Sequence, residues 1–180
     1  MMTIINRNNE LNLSVLANIE VIDQSIALLT LLTEQQYVYK ALPYLESSIG
    51  EHTRHNIDLY IALMSQRDSG VVDYDVRHRG SSVEIDSEQA ITQFEKIKRW
   101  LLDLDKHTIE SNTAVKTEVS INQKRCAILQ STIERELIFV SSHTTHHLAL
   151  MKVAAICCEA TIDMNMGYAP ATTTYQRESR

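Results

Sequence analysis

The sequence predicts an all-α fold, a four-helix bundle, and three observations carry that prediction. Four segments, residues 10–32, 48–67, 86–107 and 131–159, repeat apolar residues at helical spacing. Two of them open with capping boxes, Ser48 with Glu51 and Ser131 with Glu134, in which each side chain satisfies the other's free backbone N–H. The chain has only 4 Gly and 2 Pro among 180 residues, with 44% hydrophobic and 22% charged residues, a mix that suits a mainly helical protein. A long crossover loop should join the second and third helices. A short hairpin before the last helix is compatible with the pattern.

In the first helix Leu11, Val15, Ile19, Ile22, Ile26 and Leu29 share one side. Residues 33–47, with Tyr37, Tyr39 and Tyr44 around Pro43, are too mixed to assign. The second helix centres its apolar stripe on Asn56, Leu59, Tyr60 and Leu63. Residues 69–85 form a polar loop holding Asp73, Tyr74, Asp75, Arg77, His78 and Arg79. The simplest reading is a solvated crossover whose arginines pair with its own aspartates. A loop of this length can also be functional, and Arg77 and Arg79 would then meet an anionic ligand.

The third helix buries Ala90, Ile91, Phe94, Ile97, Leu101 and Leu104, with His107 as a cation at its end. Val115, Val119 and Ile121 alternate weakly and could pair with residues 127–129. Residues 1–165 then form one domain of sufficient length for a sizeable core. Residues 166–180 read as a polar tail, partly ordered at best.

A net charge of −6 with no basic block argues against a general nucleic-acid or anionic-membrane partner. The N-terminus lacks the basic start and apolar core of a signal peptide. No apolar run approaches the roughly 18 residues of a membrane span. Cys126, Cys157 and Cys158 are odd in number and form no CxxC, so we expect a reducing, cytoplasmic setting.

The histidines carry the chemistry. His143 and His147, four residues apart, project from a stripe that includes Phe139, Val140, Leu150, Met151, Ala154 and Cys158. Adjacent turns bring such rings close enough to ligate one ion. Two separately hydrogen-bonded core histidines fit the same spacing equally well. No Glu follows the first His, so the zincin base is absent. On the second helix His52 falls well within the apolar stripe and His55 at its margin. In a bundle, metal sites are built from facing helices, so the two histidine groups can converge.

The segments SIGEHTRHNIDLY (residues 48–60), DYDVRHR (73–79) and ELIFVSSHTTHHLALMKV (136–153) resemble the DinB-like, or damage-inducible, four-helix-bundle family. The closing GYAPATTTYQ resembles the tail of one bacterial subgroup. The resemblance implies a divalent metal held by three histidines, His55 from the second helix with His143 and His147 from the last. His52 is then an alternate ligand, or a residue that supports one from outside, and His146 either supports a ligand in the same way or lies at the surface. Leu148, Ala149 and Leu150 depart from the Arg-Gly-Gln common in the family. Ala149 also stands where the iron-dependent sulfoxide synthases of that family carry Glu.

The expected function is that of a metal-dependent enzyme, with zinc, nickel or iron activating a small thiol or water. Its substrate would be a small molecule, with a low-molecular-weight thiol as the family's recurring partner. Tyr74, Arg77 and Arg79 are the candidates for substrate contact. Glu136, two turns before His143 near the start of the last helix, could orient a ligand, but the simpler expectation is that it is solvated. The competing expectation is a non-catalytic bundle with a structural metal or none, acting in dimeric or stress-related interaction. The family resemblance also permits a homodimer.

Overall fold

The computed structural model describes residues 11–179. Four long helices, α1 (Leu13–Leu31), α3 (Ile49–Ser69), α4 (Ser87–Leu102) and α6 (Ile133–Cys157), pack in a ring, with α1 and α3 each touching both α4 and α6. Three shorter helices accompany them among the described residues: α2 (Glu34–Tyr37), α5 (Lys106–Ile109) and α7 (Pro170–Glu178).

The all-α expectation is overturned by a three-stranded mixed sheet of β1 (Val71–Asp73), β2 (Asn112–Glu118) and β3 (Cys126–Thr132). β1 runs parallel to β2, with Val72 opposite Val115, and β2 runs antiparallel to β3, with Val115 opposite Leu129. A strand of three residues is too short to show a period, and its partner lies across the whole of α4. That is why the crossover read as loop. Burial of Val72, Thr113 and Val115 supplies the packing that fixes this register. The hairpin is longer than the sequence suggested.

Helix ends follow their caps. Ser48 and Glu51 form the expected box at the start of α3, and Gly70 closes that helix with a left-handed backbone at φ 70°. The third helix is shorter than expected and stops at Leu102. Asp105 accepts the Thr108 N–H at 2.7 Å and starts α5, which holds His107. α6 begins at Ile133, two residues later than its expected cap. Ser131 is claimed by β3, opposite Thr113, and Thr132 caps the helix through the Arg135 N–H. The segment after α6 is also more ordered than a polar tail, since Met166 is buried and α7 follows it.

α1 is long and apolar enough, by length and composition, to cross a membrane, unlike the sequence expectation. In this fold it carries inward polar groups that the bundle satisfies. The Asn18 amide donates to the Ser14 and Leu137 carbonyls, and the Tyr60 hydroxyl donates to Asn18. α3 is the central element, walled by α4, α6, β1 and the turn Ser82–Glu84. At Gly50 an added Cβ would stand 1.9 Å from the Glu84 carbonyl oxygen, so only glycine lets this turn approach the helix. Arg54 then reaches Glu84 at 2.9 Å and Asp58 at 3.1 Å, and His78 closes on Asp58 at 2.7 Å. The crossover loop is thus pinned to α3, and the expected pairing of its arginines with its own aspartates is not seen among the described residues, where Asp73 pairs with Lys116 instead.

Candidate metal centre

His55 on α3 faces His143 and His147 on α6. The Nε2 atoms of His55 and His143 are 3.0 Å apart, as are those of His143 and His147. One ligating nitrogen from each of the three rings lies within 4.8 Å of the other two. The buried stripe of α6 actually runs through Leu137, Val140, Thr144, Leu148 and Met151. The two α6 histidines therefore sit half-buried on its flank rather than at its middle, turned toward α3.

The donor set fits a divalent ion. A neutral His143 Nε2 has one proton or one lone pair, so it completes an ordinary hydrogen bond with only one of its two neighbours at a time. Nitrogens about 2.0–2.1 Å from a tetrahedral zinc ion stand about 3.3–3.4 Å from one another, near the 3.0 Å that separates His143 from each of the other two rings. Burial first, then Arg77 and His143, pushes His55 down to about 4. Burial first, then His55 and His143, pushes His147 down to about 3. His143 is lowered as well, by burial and then by His146 and Arg77. The rings are neutral at physiological pH, the form that ligates.

His52 takes a different position. Its Nδ1 lies 2.9 Å from Nδ1 of His147, on the ring edge opposite the cluster, while its Nε2 is buried without a partner among the described residues. The helical wheel of α3 favoured His52 for the centre, and the geometry brings His55 there instead. His146 is exposed.

His55 and His143 also form part of the wall of a cavity of about 730 Å³ between α3, α6 and the sheet. Tyr74 and Arg77 line it, whereas Arg79 is exposed and lies outside that lining. Glu136, expected to be solvated, is instead fully buried in the cavity wall. It accepts from the Tyr74 hydroxyl at 2.8 Å, from the Ser131 hydroxyl at 2.6 Å and from Arg135 at 2.6 Å. Burial and the adjacent Glu136 carboxylate hold the Tyr74 hydroxyl well above its ordinary range, so it stays protonated. Two of these donors come from the loop and β3. Its place two turns before His143 on α6 was the only hint in the sequence.

No family model matches the chain, and no solved structure matches it. The chain is similar to FK506-binding protein 5 of Rhizopus delemar, at 26% identity over 102 residues. That match covers 57% of this chain and spans 26% of the length of that relative.

Proposed function

We propose that this chain is a metal-dependent enzyme of the DinB-like kind, with His55, His143 and His147 holding one divalent ion, zinc, nickel or iron. The observation that supports the reading is the convergence of three neutral imidazoles, two of which, His55 and His143, line a cavity of ligand size. When bound, the ion would lower the pKa of a water or thiol at its open side. The chain's own groups prepare that site. A neutral His147 that offers Nε2 to the centre carries its proton on Nδ1 and donates it to His52, which fixes the tautomer. Phe139 packs against His143 and Tyr74, with ring centroids 5.7 and 5.3 Å away. A closed four-histidine site, the structural alternative, would need His52 turned inward, and its ring meets the outer nitrogen of His147 instead.

Elemental analysis of untagged protein tests the reading. We expect close to one equivalent of metal in the wild type and its loss in His147→Ala. Metal-loaded protein should then turn over small thiols or hydrolysable esters, and the variant should not. A wild type that takes up no zinc, nickel or iron when offered them would sink the proposal.

A further inference from the structure

Arg77 stands in the cavity wall with its charge unspent. Its Nη1 is buried with no hydrogen-bond partner among the described residues. The acids nearby are otherwise engaged, Asp58 by Arg54 and His78, and Glu136 by Arg135, Tyr74 and Ser131. Burial holds the guanidinium below its ordinary value, with Asp58 partly offsetting the effect, yet an arginine remains charged. A half-buried cation without a partner is costly, and an anion entering the cavity would relieve that cost. The remaining wall is largely apolar: Leu59, Val115, Leu129 and Phe139 face the same space.

We propose that this cavity takes a small molecule with one carboxylate on a mainly apolar body, the carboxylate held by Arg77 and the far end presented to the histidines. The position of the reacting end rests on the proposed metal centre, and the anion half stands on Arg77 alone. A guanidinium offers parallel donors that match a carboxylate. A phosphate dianion fits less well, because Arg135 is already committed to Glu136 and that acid shares the wall. The volume of about 730 Å³ lies within the range of small-molecule sites.

Calorimetric titration of the full chain with 4-phenylbutyrate and its uncharged amide, 4-phenylbutyramide, tests this. In zinc-loaded wild type the acid should bind at least tenfold more tightly than the amide, the scale of an ionic hydrogen bond. Arg77→Gln should erase that preference, while Arg79→Gln, outside the cavity, should keep it. The preference should also survive in chelator-treated wild type, so failure to bind metal and failure to bind the anion are separable. Equal binding of acid and amide, or binding of neither, would overturn the proposal. So would an acid preference that vanishes with the metal but persists in Arg77→Gln. Should Arg77→Gln not fold, the acid and amide comparison on the wild type, with and without zinc, still decides.

Discussion

His52 Nδ1 lies 2.9 Å from Nδ1 of His147, while Nε2 of that same His147 lies 3.0 Å from His143. One imidazole thus bridges a buried partner and the cluster. Losing such an outer partner typically lowers metal affinity by about 10–100-fold. Competition for zinc against a chromophoric chelator should show that loss in His52→Ala. His55→Ala should bind too weakly to compete at all. Equal losses in the two variants would place His52 among the ligands.

Metal-free protein should lose stability as pH falls below about 6.5. His55 and His147 have folded values near 4 and 3, below the ordinary histidine value, so the unfolded chain binds their protons first. Above about 6.5 both states are neutral and the effect is absent. Between there and the folded values each histidine contributes a slope of up to about 1.4 kcal/mol per pH unit. Urea midpoints at pH 7.5 and 5.5, where carboxylates stay ionised, should differ, and His147→Gln should shrink the difference. A wild-type midpoint unchanged across that interval would refute the assignment.

Glu136→Leu removes the acceptor of three donors around a fully buried position. Leaving the Tyr74 and Ser131 hydroxyls unpaired should cost about 2–4 kcal/mol in denaturant unfolding. Glu134→Ala on the exposed side of the same turn should stay within about 0.5 kcal/mol of wild type. Comparable losses in both would show that the buried network is not what matters.

Gly50→Ala places a methyl group 1.9 Å from the Glu84 carbonyl, so the turn Ser82–Glu84 must move off α3. Overpacking of this kind costs about 1–3 kcal/mol. Thermal unfolding should show a matching drop. Hydrogen exchange should rise in the turn first, since the Arg54–Glu84 pair at 2.9 Å would open with it. A variant as stable as the wild type would mean that the close approach is relaxed in solution.

The sequence alone determined the four long helices, because periodic apolar spacing and the Ser48–Glu51 box are local signals written within a few turns. It also determined that His143 and His147 share a helix face, since that follows from helical geometry. Only the tertiary structure decided the rest. Which of His52 and His55 meets them depends on how α3 is rotated against α6. That rotation is set by packing on every side of α3, and no stripe on α3 itself reports it. The sheet was hidden because β1 finds its partner across α4, and a pairing so distant leaves no period in the chain. Glu136 is buried only because a hydroxyl from the loop and another from β3 arrive to satisfy it, and neither donor lies on its helix.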